Sequence, residues 1–409
     1  PEFYERLRKR GISNNWMTMV GQGTLREYVV GRDDRPATED EIQQMRRLVE
    51  EAARQGVFGV SSGLEYTPGS FASTGEIAQV CAALNHVPGA VKLYATHMRN
   101  EDDTVEEALQ EAIQIARTAR VGLQVSHLKA LGKRNWPKAP RLLQMLDEAH
   151  AGGMAVAADR YPYSAYSTGL SALFPLWVRE GGTERFLNRL KDPSLQERIR
   201  EGVRFKIDRL GSWHAVLISG VNLEKNRWML GLRVDEIARK LAKDPFEVVR
   251  ELLIAEKGRV SMCGFGMSEE NTRRILSHPL VAVASDGTAL AVDGDLSKGH
   301  PHPRSFGTFP RVLGRYVREE KLMPLEEAVR KMTSLPARML GLRDRGRLVP
   351  GAFADIVLFD PDKVADRATW ENPKQYPVGV VYVLVNGEFV LFEGERTAKR
   401  PGRVLRSLT

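Results

Sequence analysis

The sequence predicts an α/β protein in which a (β/α)₈ barrel, incomplete at its N-terminus, carries a small β-sandwich module. Three observations lead to this fold class. Short β-branched runs alternate with amphipathic helical segments along most of the chain, which is typical of a parallel sheet. The runs are apolar over nearly their whole length, as expected of strands covered on both faces. From about residue 343, apolar and polar residues alternate between glycine turns, which indicates antiparallel strands.

The candidate barrel strands are seven short apolar runs. They cover residues 16–21, 57–63, 91–97, 122–127, 154–161, 260–266 and 281–287. Helices between them begin with the capping-box pattern, a Ser or Thr followed three positions later by Glu, at Thr38, Ser73 and Thr104. The opening segment PEFYERLRKRG has no initiator methionine and is typical of the middle of a helix. We therefore expect the chain to begin partway through a protein, with one barrel strand before it.

Two parts are expected from the change of pattern along the chain. Residues 1–342 form the barrel, and residues 343–409 form the β-sandwich part, with a hairpin turn at Asn386-Gly387. Within the barrel part, the alternation of strand and helix breaks at 164–258, where the segments are helical and no chemistry is evident. An excursion of this length after a barrel strand predicts an insertion or lid at the active site.

Composition excludes several classes of protein. The 409 residues carry 60 Lys and Arg against 52 Asp and Glu, and this excess of +8 is spread along the chain. A mildly positive field of this kind suits an anionic small substrate better than nucleic acid. Only Cys81 and Cys263 are present, without motif spacing, so we expect no disulfide framework and a cytoplasmic location. No apolar run approaches the roughly 20 residues that span a bilayer, so no membrane insertion is expected.

Polar side chains stand at the C-terminal ends of the candidate strands, where barrel enzymes hold their active sites. His97 ends the run in YATHMRNED, His127 ends the run in LQVSHLKALG, and Tyr161 and Asp286 stand at later strand ends. Two imidazoles and a carboxylate are ligands of first-row metals, and zinc suits the mixture best. Such a metal activates water for attack on a carbonyl, while a neighbouring carboxylate takes and returns the proton. The pattern predicts metal-dependent hydrolysis of an amide or related bond, with His97, His127 and Asp286 as ligands.

Each of these residues also has a structural alternative. A single histidine at a strand end is more often hydrogen-bonded within the fold than bound to a metal. Two such histidines, together with a strand that ends in Ser-Asp-Gly, favour a site over that alternative. Arg99 and Asn100, which follow His97 closely, either brace their loop or contact the substrate.

Longer motifs extend the interpretation. They are GVSSGLEYTPGSFAS, THMRNE, SHLKALG, DRYPY, GFGMSEEN, ASDGTAL, HPHPRSFGTFPRVLGRYV and KMTSLPARMLGLRDRGRLVPGAFADIVLFDP. In this order they resemble the N-acyl-D-amino-acid deacylases, or D-aminoacylases, of the amidohydrolase superfamily. The resemblance runs from about residue 12 to the C-terminus.

This resemblance implies a zinc-dependent barrel and a role for each matching residue. His97 and His127 match the histidines that bind a tightly held zinc together with a cysteine thiolate. Asp286 matches the general base, which also holds a second, weaker metal with a His-x-His pair. That cysteine and that pair have no counterpart in the sequence, and we expect them before Pro1. The family topology also implies two barrel strands before the chain, so residues 260–266 are the candidate strand most open to reassignment.

Three further residues match groups that receive the α-carboxylate of the substrate. They are Lys129, Tyr161 of DRYPY and Arg304. A guanidinium or an ammonium is suited to hold a carboxylate in one orientation. The implied reaction is hydrolysis of an N-acyl-D-amino acid to a carboxylate and a free D-amino acid.

Two alternatives to this function stay open. One is hydrolysis of a cyclic amide, as in dihydropyrimidinase-like members of the superfamily, although Arg304 and Lys129 favour an acyclic carboxylate. The other is a noncatalytic binding protein, or a fragment whose site is incomplete. The acyl group, the side chain and the oligomeric state are not predicted.

Overall fold

A computed structural model describes residues 2–407. Pro1 and residues 408–409, at the outer ends of the predicted ranges 1–342 and 343–409, lie outside the described residues. No helix among those described is both long and apolar enough to cross a bilayer.

The first part of the chain alternates strand and helix as expected. The strands are β1 (Val20–Gly21), β2 (Val60–Gly63), β3 (Leu93–His97), β4 (Gly122–Val125) and β5 (Val156–Arg160). The helices are α1 (Glu2–Arg10), α2 (Gln22–Val29), α3 (Glu39–Arg54), α4 (Thr74–Ala82), α5 (Val105–Ala119) and α6 (Ala139–Ala151). Each strand pairs in parallel with the next, so the C-terminal ends of all five lie at one edge.

Apolar faces of α2 to α6 pack on this sheet and form the largest core. Strand residues Val60, Tyr94 and Leu123 are fully buried in it. Two of the predicted caps form: Thr38 makes the complete capping box of α3, and the Ser73 side chain accepts from the backbone N–H of Glu76 at the start of α4. The Thr104 side chain does not cap α5, so that prediction is wrong.

After β5 the chain leaves the parallel sheet for the predicted insertion, which contains strands as well as helices and extends past the predicted end at residue 258 to Gly264. Its strands are β6 (Tyr166–Gly169), β7 (Val216–Gly220) and β8 (Ser261–Gly264). Its helices are α7 (Leu176–Arg179), α8 (Thr183–Lys191), α9 (Gln196–Leu210), α10 (Val234–Leu241) and α11 (Pro245–Ala255). The three strands form an antiparallel sheet in the order β6-β8-β7 and share a separate hydrophobic core with these helices.

The prediction that residues 260–266 form a barrel strand is therefore wrong. Ser261–Gly264 pairs antiparallel with β6 on one side and with β7 on the other. A short apolar run has the same composition in either kind of sheet, so only its pairing partner distinguishes the two.

The chain returns to the parallel sheet through α12 (Glu269–Ser277) and β9 (Val281–Val283), which pairs in parallel with β5. The sheet thus has six strands in the order β1-β2-β3-β4-β5-β9, and the predicted strand at 281–287 belongs to it. Three α-helices follow: α13 (Arg304–Arg311), which continues as a π-helix over Val312–Glu319, α14 (Leu325–Met332) and α15 (Ser334–Met339).

The C-terminal part is antiparallel, as the alternating pattern predicts. Its strands are β10 (Ile356–Phe359), β11 (Val380–Val385), β12 (Glu388–Phe392) and β13 (Glu395–Arg396), paired in chain order. Asn386 and Gly387 have φ of 51° and 85° and connect β11 to β12, which confirms the hairpin turn. The exact division at 342/343 stays a prediction.

Candidate active site

A cavity of about 200 Å³ lies at the C-terminal edge of the parallel sheet. Five of the six predicted site residues line it: His97, His127, Lys129, Tyr161 and Asp286. The sixth, Arg304, lines a neighbouring cavity of about 550 Å³ that shares Asp286 with the first. The fold therefore brings together residues that are far apart in the sequence.

His97 and His127 face each other across a short gap. His97 is the last residue of β3, and its Nδ1 lies 3.0 Å from Nε2 of His127. His127 adopts a left-handed backbone conformation with φ of 42°, and its N–H donates to the half-buried side chain of Asp159 at 2.7 Å. Asp159 thus fixes the turn that aims the second imidazole at the first.

Two glutamates contact the other nitrogens of these imidazoles. Glu65 Oε2 lies 3.2 Å from Nε2 of His97, and Glu101 Oε1 lies 3.0 Å from Nδ1 of His127. Sequence reasoning missed both. Glu101 is visible in the sequence only as part of the acidic loop THMRNED, and Glu65 as an acid shortly after β2.

Each glutamate is also paired with a lysine. Lys206 Nζ lies 2.9 Å from Glu65 Oε1, and Lys129 donates to Glu101. Although burial alone would raise the pKa of Glu65, the Lys206 ammonium and His97 lower it to about 2. Burial likewise opposes ionisation of Glu101, but His97, Lys129 and His127 hold its pKa well below the ordinary value. Both carboxylates are therefore ionised at neutral pH.

Lys206 shows that the insertion contributes to the site. It lies on α9, in the segment where the sequence showed no chemistry. Lys206 and Arg209 both pair with Asp102, at 3.2 and 2.9 Å, so α9 is held against the loop that follows β3. No periodicity could reveal this contact, because it joins two separate hydrophobic cores.

The Lys129 ammonium is buried and paired with other side chains of the site. Its side chain is 2% exposed and contacts Glu101 and Nδ1 of His127. Burial lowers the pKa of Lys129, and Glu101 opposes that effect. For His127, burial and the Lys129 ammonium together lower the pKa, so a neutral imidazole is favoured.

The donor atoms fit a metal such as zinc. One donor atom each from His97, Glu101 and His127 lies within 4.8 Å of the others. Neutral imidazoles with a carboxylate nearby are a typical zinc environment. Nδ1 of His97 and Nε2 of His127 lie at a hydrogen-bond distance of 3.0 Å, and a metal ion bound by both rings would take the place of the proton between them.

Asp286 and Arg304 form an ion pair at the edge of the cavity. Asp286 lies three residues beyond β9 with φ of 47°, and its Oδ2 is 2.7 Å from Nη1 of Arg304. The contact is not well directed as a hydrogen bond, so the guanidinium keeps donor capacity. The backbone N–H groups of Gly287 and Thr288, the next two residues of the turn, donate to the hydroxyls of Ser285 and Ser305 and not to the Asp286 carboxylate.

Tyr161 lies under the Arg304 guanidinium, with 4.7 Å between the guanidinium carbon and the ring centroid. Its hydroxyl is buried and has no hydrogen-bond partner among residues 2–407. Burial raises the pKa of Tyr161, so its O–H is available as a donor to a ligand.

His302, also missed by sequence reasoning, accepts from the Arg304 N–H and donates to the Ala165 carbonyl, which fixes the start of α13.

Arg99 and Asn100 brace their loop. Arg99 donates to Glu111 and to the carbonyls of Ser70 and Ala72. The Asn100 side chain accepts from the N–H of Thr104, in place of the predicted threonine cap. These contacts support the structural alternative for both residues.

Comparisons with known proteins identify close relatives. A family model described as the amidohydrolase family matches residues 219–391. The D-aminoacylase of Alcaligenes xylosoxydans xylosoxydans is 37% identical over 404 residues, which are 99% of this chain and 72% of the relative. The N-acyl-D-glutamate deacylase of the same organism is 37% identical over 395 residues, or 96% and 70% of the two chains.

A solved structure agrees with these relatives. It is an N-acyl-D-glutamate deacylase from Bordetella bronchiseptica, in complex with zinc and a phosphonate inhibitor that mimics the tetrahedral intermediate of the reaction. It superposes with a TM-score of 0.81 at 34% identity and covers 99% of this chain and 74% of that one.

Proposed function

The chain belongs to the N-acyl-D-amino-acid deacylase family of amidohydrolases, and from this we propose that it hydrolyses the amide bond of N-acyl-D-amino acids with the aid of zinc. The products are a carboxylate and a free D-amino acid. The observation that carries the proposal is the convergence of two imidazoles, a strand-end carboxylate and a guanidinium at one edge of the sheet.

His97 and His127 would hold the zinc through the nitrogens that face each other, 3.0 Å apart. When bound, a zinc ion supplies Lewis-acid chemistry, activating water and polarising the amide carbonyl. Glu65 and Glu101 place one carboxylate beside each imidazole, and each carboxylate is paired with a lysine, Lys206 or Lys129.

Asp286 is proposed as the general base. Its carboxylate lines the same cavity as the histidines and is about 39% exposed, so water reaches it. It would take a proton from the attacking water and return it to the nitrogen of the leaving amine. Arg304 keeps this carboxylate oriented through their ion pair.

Arg304 and Tyr161 are proposed to bind the α-carboxylate of the substrate. The guanidinium retains donor capacity beside Asp286, and the buried Tyr161 hydroxyl lacks a partner among the residues described. Lys129 shares the cavity and places its positive charge there while it pairs with Glu101. A substrate with a free carboxylate satisfies these donors, whereas a neutral cyclic amide does not.

The test is a substrate panel on the zinc-loaded protein. N-acetyl-D-Glu, N-acetyl-D-Met and N-acetyl-D-Leu are compared with their L-forms and with a cyclic dihydropyrimidine. Release of amino acid from the D-forms alone, with zinc in the protein, is the expected result. Cyclic-amide turnover without D-deacylation would support the superfamily alternative, and zinc-free protein without turnover would support a noncatalytic role.

We further propose a reducing compartment, such as the cytoplasm, as the location. Cys81 and Cys263 are both buried free thiols, and burial raises the pKa of each, which keeps them unreactive. Cell fractionation with an antibody to the protein tests the location directly.

A further inference from the structure

We propose that His302 is a positioning residue for substrate binding, which holds Arg304 and Tyr161, the two proposed anchors of the α-carboxylate, in a fixed arrangement. The inference deepens the proposed function and rests on it. His302 is 3% exposed and lines the cavity of about 550 Å³ together with Asp286 and Arg304.

The two hydrogen-bond partners of His302 determine where its imidazole carries the proton. The backbone N–H of Arg304 donates to Nδ1 at 3.0 Å, so Nδ1 is unprotonated. The proton is then on Nε2, which donates to the carbonyl of Ala165 at 2.9 Å. Both partners are backbone groups, whose roles as donor and acceptor are fixed. One neutral tautomer therefore satisfies both bonds.

The surroundings keep this imidazole neutral. Burial lowers the pKa of His302 well below its ordinary value, and the Arg304 guanidinium acts in the same direction. The bond to Ala165 opposes the shift, while the guanidinium groups of Arg160 and Arg311 add to it. Nδ1 thus stays an acceptor at neutral pH.

The bond to Arg304 completes the first turn of α13. The first N–H groups of a helix have no acceptor within the helix and need one from outside. Pro303, which precedes Arg304, provides no side-chain acceptor. The N–H groups of Ser305 and Phe306 donate to the carbonyls of His302 and Pro303, and the Arg304 N–H donates to the His302 ring. Because Arg304 is 6% exposed, water is poorly placed to replace that acceptor.

The same imidazole packs against the second anchor. The His302 and Tyr161 rings meet edge to face with 6.1 Å between their centroids, and Tyr161 in turn lies under the Arg304 guanidinium at 4.7 Å. Trp370 and Tyr163 also pack against His302, at 4.7 and 5.1 Å between centroids. These contacts hold the ring in one orientation, so that it fixes both anchors at once.

The bond to Ala165 connects this arrangement to the insertion. Ala165 is buried and immediately precedes β6, the first strand of the insertion. His302 therefore joins the start of the insertion to the start of α13. A guanidinium holds a carboxylate well only when its planar fork is aimed at it. A shift of the helix start is therefore expected to weaken substrate binding more than zinc binding.

Three substitutions of His302 separate its two bonds. His302→Asn keeps an acceptor at the position of Nδ1, and asparagine side chains commonly accept from the N–H two residues further along the chain. His302→Gln keeps a donor at the position of Nε2 but places no acceptor at the position of Nδ1. His302→Phe keeps an aromatic ring and loses both bonds.

The measurement is steady-state kinetics of the zinc-loaded protein on an N-acetyl-D-amino acid. His302→Phe and His302→Gln are expected to raise KM on the order of 10- to 100-fold, with a smaller fall in kcat and unchanged zinc content. His302→Asn is expected to recover most of the wild-type KM.

His278→Phe is the matched control. His278 also accepts at Nδ1 from the N–H two residues on, that of Leu280 at 3.4 Å, and its Nε2 contacts Asp147. Its side chain is 11% exposed and lines neither of the two cavities. The substitution should leave KM unchanged.

A second substrate separates positioning from general damage to the site. The methyl ester of the same N-acetyl-D-amino acid lacks the carboxylate charge, so wild type is expected to show the higher kcat/KM on the free acid. This preference should shrink in His302→Phe and His302→Gln and return in His302→Asn. Equal losses on acid and ester would mean that His302 supports the fold and not the carboxylate site, and would overturn the proposal.

The order of the two amide variants keeps the test decisive if His302→Phe does not fold. The proposal requires the lower KM in His302→Asn, so a lower KM in His302→Gln, or a wild-type KM in both, would overturn the role of His302. Absence of turnover by the wild-type protein on every N-acyl-D-amino acid would instead overturn the proposed function, which keeps the two failures distinct.

Discussion

Nη1 of Arg304 lies 2.7 Å from Oδ2 of Asp286, so the proposed general base and the proposed anchor for the substrate carboxylate form one ion pair. The two residues are expected to act as a unit, because a substrate carboxylate at Arg304 lies beside the group that must accept a proton. Residues in direct contact give nonadditive effects when both are changed. The Asp286→Asn and Arg304→Lys double variant should therefore lose less activity than the product of the two single losses.

Asp286→Asn is expected to bind zinc and to lose most of its turnover. Asparagine is nearly isosteric and tolerates the left-handed backbone at φ of 47°, but it cannot accept the proton. The expected fall in kcat is on the order of 10²- to 10⁴-fold, with unchanged zinc content. The control is Asp366→Asn, which breaks a comparable pair with Arg311. Retained turnover together with a lower melting temperature would assign Asp286 a structural role only.

Arg304→Lys is expected to raise KM more than it lowers kcat. Lysine keeps the charge but loses the planar fork that orients a carboxylate. Arg311 provides the matched control, because it lies on the same helix, stacks on Tyr163 at 4.9 Å and pairs with an aspartate. Arg311→Lys should leave KM unchanged. An unaltered KM in Arg304→Lys would place the carboxylate site elsewhere.

His97→Ala and His127→Ala are each expected to reduce both zinc content and activity, because a metal site weakens when any ligand is lost. Metal analysis after dialysis against a weak chelator gives the stoichiometry. His214→Ala serves as control, since the exposed His214 side chain contacts Asp235 and does not line the cavity. Wild-type zinc stoichiometry in both site variants would contradict the assignment.

Asp102→Asn is expected to loosen the insertion and to change the response to acid. Burial alone would raise the pKa of Asp102, but Lys206, Asn100 and Arg209 lower it below the ordinary 3.8. Since the folded-state pKa is depressed, the stabilisation is complete above about pH 3.8 and is lost as the pH falls through the folded value.

The expected loss at neutral pH is on the order of 1–3 kcal/mol in the free energy of unfolding. Thermal unfolding of wild type and Asp102→Asn at several pH values measures it. The difference between the two proteins should shrink as the pH falls below 3.8. A constant difference across that range would mean that the charge of Asp102 does not contribute.

Local sequence patterns were enough to predict the parallel sheet and the residues at its strand ends. The spacing of apolar residues and the length of each apolar run predict the strands. Parallel strands place their C-terminal ends at one edge of the sheet, so His97, His127 and Asp286 could be expected to lie together. The Asn386-Gly387 hairpin turn could also be predicted from local sequence, because its geometry depends on two adjacent residues.

The groups that contact those residues from behind could be identified only in the folded chain. Glu65 and Lys206 meet although they are 141 positions apart, and Ser261–Gly264 pairs within the insertion instead of the barrel. These features depend on how two separately packed cores dock and on which edges of strands are free. A linear pattern carries no signal for either, because side-chain contacts between remote segments arise from three-dimensional packing and charge pairing, and local periodicity does not encode them.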